Sequence, residues 1–313
     1  MTATRVNTSI NPSCGHHPPS ASVGTFLDGQ FVIAWNSCNT HIQKFFADGT
    51  KKGSAFQISS DTNSGQFFPT MGTFPGGKLV VAWIDNKRNL WCVIFADGAK
   101  EGHKFQITTD EYTSTPAIGT FPDGNFVVVW SVIVNGRFDV CGQRYSSEGK
   151  KEGNKFSVNS YTYGTQKHPA IGTFSDGSFV VVWESQYQDG SENGIFVQKF
   201  YGNGTKEDSE FRVNSYTEGN QDSPAIGTFP DGRLAVVWNS RSAVFGQMFQ
   251  TELAKIEVTP TCDNNLDLRA DTIETAPKSL HHIDSNAATA LGVGLLSTML
   301  GVITIGLSLE FFD

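Results

Sequence analysis

The chain has 313 residues, room for one large domain or two ordinary ones. Charged residues make up 17% and the net charge is −8, with no basic run, which excludes a nucleic-acid backbone as the leading partner. Thirty-two glycines and 24 phenylalanines in so weakly charged a chain exclude disorder and predict many short strands joined by tight turns.

In chain order, the first readable segment is Thr4-Arg5-Val6-Asn7, a short strand pattern. Repeats follow. The tripeptide Gly-Thr-Phe begins at Gly24, Gly72, Gly119, Gly172 and Gly227, and an apolar run ends in Trp35, Trp83, Trp130, Trp183 and Trp238. Both markers advance by 48, 47, 53 and 55 residues, a period typical of propellers and solenoids. The units lie near 20–59, 68–108, 115–159, 168–214 and 223–249.

The fourth unit is the clearest. His168 to Phe174 is a strand, and Ser175-Asp176-Gly177 is a turn, because Asp-Gly supplies the positive φ of a tight hairpin. Phe179 to Glu184 is a continuous apolar run buried on both faces. After the loop Ser185 to Gly194 come Ile195 to Phe200 and Glu210 to Asn214. Four antiparallel strands make a propeller blade, so the sequence predicts an all-β, five-bladed β-propeller over residues 1–258. The fifth unit shows only three strands. Residues 4–8 supply the fourth on this reading, since Arg5-Val6-Asn7 repeats Arg212-Val213-Asn214, and they close the ring. Lys255 to Val258 is the alternative donor.

Residues 259–286, with Pro260 and Pro277 and no apolar periodicity, read as an exposed stalk. Ala287 to Leu309 carries no charge over 23 residues, enough to cross a bilayer as a helix, and 310–313 form a short tail. The sequence thus predicts a single-pass membrane protein. Its propeller is extracellular or luminal, or else cytosolic in a tail-anchored protein, because Met1 to Pro19 has no apolar core of a signal peptide.

The units resemble the blocks of about fifty residues found in large secreted or surface-attached bacterial proteins of adhesin and RTX-like type. The matching motifs are Phe179 to Trp183, Asp189-Gly190, Gly194 to Phe200 with Gln198, and Glu210 to Asn214. The first two units depart from them; Trp91-Cys92-Val93 stands where the third has Cys141-Gly142-Gln143. The resemblance implies an extracellular, non-catalytic binding or adhesion scaffold and carries over no catalytic residues.

One rim of such a propeller gathers Tyr161, Tyr163, Gln166, His168, Gln186, Tyr187, Tyr216, Asn220 and Gln221. Aromatic faces beside amides suit the CH face and hydroxyls of a sugar, so the expected ligand is a glycan or a protein. Asp189, Glu192 and Asn193 are candidate calcium ligands, though their spacing is not that of an EF-hand, and no other metal or cofactor is indicated. Cys14 and Cys38 could pair in an extracellular domain, and Asn7 and Asn203 stand in glycosylation sequons.

A glycoside hydrolase needs two facing carboxylates. The innermost strands read Ser-Val-Gly-Thr-Phe, Thr-Met-Gly-Thr-Phe and three times Ala-Ile-Gly-Thr-Phe, all without acids. The sequence therefore predicts no enzyme, with Thr25, Thr73, Thr120, Thr173 and Thr228 lining the channel.

Overall fold

The computed structural model describes residues 20–37, 39–58, 66–96, 102–109, 111–241, 243–250 and 255–256. They form five four-stranded antiparallel sheets. The first holds β1 (Ala21–Thr25), β2 (Phe31–Ser37), β3 (Asn39–Phe45) and β4 (Lys51–Gln57). The second holds β5 (Gln66–Thr73), β6 (Leu79–Asp85), β7 (Leu90–Phe95) and β8 (His103–Gln106). The third holds β9 (Thr113–Thr120), β10 (Phe126–Val134), β11 (Arg137–Tyr145) and β12 (Lys151–Ser157). The fourth holds β13 (Gln166–Thr173), β14 (Phe179–Gln186), β15 (Asn193–Phe200) and β16 (Lys206–Arg212). The fifth holds β17 (Gln221–Thr228), β18 (Leu234–Ser240), β19 (Ala243–Phe249) and β20 (Lys255–Ile256). This is the expected five-bladed propeller.

Local chemistry makes each blade. At the β13–β14 hairpin Gly177 takes φ +85°, and Asp176 Oδ1 accepts from the Ser178 amide at 2.8 Å and its hydroxyl at 2.6 Å. Those donors hold the Asp176 carboxyl below its ordinary range. Between the third and fourth strands a recurring glutamine fills a bulge. Gln198 Nε2 donates to the carbonyls of Lys199 (2.8 Å), Glu207 (2.9 Å) and Asp208 (3.2 Å), where the β15–β16 register shifts. Gln43 and Gln143 do the same in their sheets. The second sheet has Val93 there, and β7–β8 pair without a shift. Gln198→Leu is therefore expected to cost about 1–3 kcal/mol in a denaturant titration, because the buried Gln198 amide and its bonds to three carbonyls are lost. A loss below 0.5 kcal/mol would mean that the bulge holds itself.

The first strands of successive sheets touch one another in the series β1, β5, β9, β13, β17, and so surround the axis. Threonine latches tie them. Thr73 Oγ1 donates to the Thr25 carbonyl (2.6 Å), Thr120 to Thr73 (3.0 Å), Thr173 to Thr120 (2.9 Å) and Thr228 to Thr173 (2.9 Å). The threonines thus latch neighbouring blades together. This explains the Gly-Thr pair. A Cβ on Gly119 would lie 2.6 Å from Thr173 Cγ2, and Gly24, Gly72 and Gly172 meet the next threonine at 2.3–2.7 Å.

Each tryptophan face packs on the preceding sheet. Val32 and Ala34 meet Leu79, Val81 and Trp83. The same pairing recurs between the second and third sheets, the third and fourth, and the fourth and fifth. Trp83, Trp130 and Trp183 are at most 1% exposed, as their recurrence in register predicts.

Opposite Phe249 and Met248 the fourth place in the fifth sheet is taken by Lys255–Ile256, the alternative donor. Residues 4–8 lie outside the described residues. Among the described residues the joint between the fifth and first sheets differs from the others. Gly227 meets no atom within 4 Å among the described residues, and Phe31 and Ile33 on the first sheet and Val237 on the fifth stay partly exposed. Among the described residues no helix is long and apolar enough to cross a membrane. The proposed span 287–309, the stalk 259–286, the tail 310–313, Asn7, Cys14 and Cys38 all lie outside them. Of the other cysteines, Cys92 and Cys141 are buried and unpaired, and burial pushes the Cys141 thiol up to about 11.

Candidate functional site

The upper ends of the innermost strands share one irregularity. The residue before the proline in β5, β9, β13 and β17 is Phe68, Thr115, His168 or Ser223, with φ of 53°, 41°, 53° and 53°. Left-handed backbone on a non-glycine residue ahead of proline is strained. The pairing with the second strand shifts at each of these points. The bulge turns that side chain towards the residue that follows the recurring tryptophan. Thr115 Oγ1 lies 2.9 Å from Ser131 Oγ, and Ser20 bonds Asn36. Phe68 packs in the cluster that contains Ile84.

In the fourth sheet this position carries chemistry. His168 Nδ1 lies 2.7 Å from Glu184 Oε1. The Glu184 side chain is 1% exposed and the imidazole 42%. Oε1 also accepts from the Ser223 amide of the next sheet at 2.8 Å. Oε2 has no hydrogen-bond partner, and Lys167 Nζ stands 3.7 Å away. A carboxylate oxygen accepts, so Nδ1 carries the proton of this bond. A buried acid that fixes a half-exposed imidazole is an arrangement suited to acid–base chemistry.

The tyrosines stand on the adjoining rim. Tyr163 is 59% exposed, 6.4 Å from the Tyr161 ring and 6.2 Å from Tyr187, and the Arg137 guanidinium lies 5.0 Å over it. Tyr187 turns outward at φ +67°, its amide bonded to the Glu192 carbonyl at 2.6 Å. Tyr216 donates to Glu218 at 2.6 Å beneath Arg241, whose guanidinium is 5.0 Å from the ring. That bond raises the Tyr216 phenol and lowers the Glu218 carboxyl. The Asn that ends the third and the fourth repeat sets the loop after it. Asn159 Nδ2 donates to the Tyr161 carbonyl at 2.9 Å, and Asn214 Nδ2 to that of Tyr216 at 2.7 Å.

The remaining expected site residues divide. Asn220 is exposed, and Gln186 is half-buried with its amide on the Thr165 carbonyl. Gln166 and Gln221 are corrected: both are buried, and their amides donate to the carbonyls of Tyr163 (3.0 Å) and Glu218 (3.2 Å). They shape the loops from beneath. Asp189 is committed to the Ser191 amide (3.1 Å) and Asn214 (3.2 Å), and Asn193 pairs with Gln186. No group of three metal-ligating side chains forms among the described residues. Asn203 is exposed in its turn, where its Oδ1 accepts from the Thr205 amide at 2.9 Å.

Sequence reasoning missed Glu184 and Glu210. Glu210 accepts from the amides of Ser160 (2.5 Å) and Tyr161 (3.0 Å) and from Gln188 (2.8 Å), and so pins both rim loops. The signal for Glu184 was present: it is the one acid among the residues after the five tryptophans, Asn36, Ile84, Ser131, Glu184 and Asn239.

No protein-family model and no curated protein matches the sequence. Solved structures share the fold. A protein of unknown function from Dyadobacter fermentans is 12% identical, with a TM-score of 0.53, over 74% of this chain and 79% of that one. A thermostable family-43 glycoside hydrolase is 12% identical, with a TM-score of 0.50, over 84% and 100%. A polysaccharide lyase, a family PL25 ulvan lyase, is 9% identical, with a TM-score of 0.50, over 74% and 64%. These neighbours overturn the expectation that the chain is no enzyme. A fold shared with a hydrolase and a lyase, and a channel without acids on its innermost strands, give no argument against catalysis.

Proposed function

We propose that this chain acts on a polysaccharide laid across the tyrosine rim, with His168 as the acid–base group. The observation that carries this reading is the His168–Glu184 pair on β13 and β14, the strands that the loops of Tyr163 and Tyr187 adjoin. Exposed aromatic faces take up sugar rings. The group offered to solvent is an imidazole, and the neighbouring carboxylate is already bonded to His168 and the Ser223 amide. That favours abstraction of one proton, as in base-catalysed elimination from a uronate, over paired-carboxylate hydrolysis. The polysaccharide-cleaving proteins that share the fold make such a substrate class reasonable.

The test uses soluble neutral and uronate-bearing polysaccharides, with retardation in affinity gels for binding and mass analysis of products for cleavage. A uronate polymer is expected to retard the protein and yield unsaturated ends. Tyr163→Ala should weaken retardation roughly three- to tenfold, as loss of one aromatic contact implies. His168→Ala should retain binding and lose cleavage. A protein that neither binds nor cleaves any of these polymers would overturn the reading, and saturated products would replace elimination by hydrolysis.

A further inference from the structure

Sheets one to four finish their outer strands in one way. The amides of Ile58, Ile107, Val158 and Val213 donate to the carbonyls of Thr40 (3.0 Å), Leu90 (2.8 Å), Val140 (2.8 Å) and Ile195 (2.7 Å). In sheets two to four the next side chain takes the amide of the same residue: Thr108 that of Leu90 (2.9 Å), Asn159 that of Val140 (2.8 Å) and Asn214 that of Ile195 (2.8 Å). Thr40, Leu90, Val140 and Ile195 are all fully buried.

The fifth sheet lacks this finish among the described residues. Trp238 pairs with Phe245 as Trp183 pairs with Phe196, so Val244 stands in the place of Ile195. Strand β20 reaches only Met248 and Phe249. Val244 is 69% exposed, on an edge that is buried in every other sheet. An open strand edge of this kind takes up an extended segment.

We propose that Thr4 to Asn7 fills this edge. The Val6 amide then donates to the Val244 carbonyl, and the Asn7 side chain accepts from the Val244 amide. Three observations commit the occupant. Arg5-Val6-Asn7 repeats Arg212-Val213-Asn214, the triplet that performs these two bonds in the fourth sheet. The path fits: nine residues lead from Asn159 to His168 and from Asn214 to Ser223, and thirteen lead from Asn7 to Ser20, the equivalent position of the first sheet. The continuation of β20 offers a poorer match, placing Pro260 where Phe211 packs and Cys262 where Val213 bonds. The clasp carries the chain from the fifth sheet to the first, across the joint where Phe31, Ile33 and Val237 remain partly exposed.

The test is a cross-link in the full chain with Cys14, Cys38 and Cys262 changed to serine. Arg212 lies opposite Phe196, so Arg5→Cys with Phe245→Cys is expected to form a disulfide within one chain, read by peptide mass mapping. Thr261→Cys with Phe245→Cys, the register of a continued β20, is expected to form none. A disulfide at 261, an Arg5→Cys link joining two chains, or no disulfide in a folded protein would each overturn the clasp. If the double variant does not fold, hydrogen exchange decides. In Asn7→Ala the Val244 amide is expected to exchange about tenfold faster or more, and an unchanged rate overturns the proposal.

Discussion

Trp183→Ala is expected to lower the thermal midpoint by on the order of 10 °C, and Trp183→Phe by no more than about a third of that. The indole is fully buried among Val127, Val129, Val140, Val181 and Phe196, between the third and fourth sheets. Truncation removes that contact from two sheets at once and leaves a cavity that rigid strands cannot collapse, a loss of about 3–5 kcal/mol. At roughly 2–4 °C per kcal/mol for a domain of this size, the midpoint falls by that amount. Phenylalanine behaves differently for a polar reason. The Trp183 Nε1 hydrogen has no acceptor, so the native residue already carries the penalty of a buried unbonded donor. Phenylalanine removes that donor while filling most of the space. Differential scanning calorimetry on the three proteins reads the difference. Equal losses for Ala and Phe would show that the indole hydrogen finds a partner in solution.

The repeat was legible because its requirements are local and recur in register. Asp-Gly gives the hairpin its positive φ, as at Asp176-Gly177, and each Gly-Thr pair joins two blades: the glycine leaves room for the threonine of the next strand. Even the departure at Val93 had a physical meaning, since the sheet without the glutamine is the one whose third and fourth strands pair without a bulge. The site was less legible. Acids were sought on the innermost strands, but Glu184 sits on the second strand and meets His168 only because a bulge before Pro169 turns that residue round. The strain that builds this bulge, φ +53° ahead of proline, leaves no mark in hydrophobic periodicity. Gln166 and Gln221 misled for the opposite reason. Their position at a loop end suggests a rim side chain, while alternation along the strand sends both inward.

Glu184→Gln is expected to leave stability within about 1 kcal/mol of the native protein, or to raise it, while lowering turnover of the cleaved polymer by on the order of 100-fold. The amide oxygen can replace Oε1 as acceptor for His168 and the Ser223 amide. What disappears is a buried charge whose second oxygen has no hydrogen-bond partner and whose ion-pair partner, Lys167, is partly solvated. Such a pair contributes about 0–1 kcal/mol at most, so its loss is small beside the relief of burying one charge fewer. The proposed catalysis has the opposite dependence. In it the carboxylate would fix the imidazole and stabilise its positive charge as it takes a proton, and an amide would do the first without the second. Glu184→Ala is the contrasting case: it removes the acceptor altogether, strands the Ser223 amide, and should lose both stability and turnover. Because the two groups act as a unit, His168→Ala combined with Glu184→Gln should be no slower than His168→Ala alone. A Gln variant that unfolds as readily as the Ala variant and turns over substrate like the native protein would make Glu184 a brace between the fourth and fifth sheets and nothing more. Stability held or gained with turnover lost marks an acid kept in the interior for its chemistry, since packing alone gives no reason to bury it there.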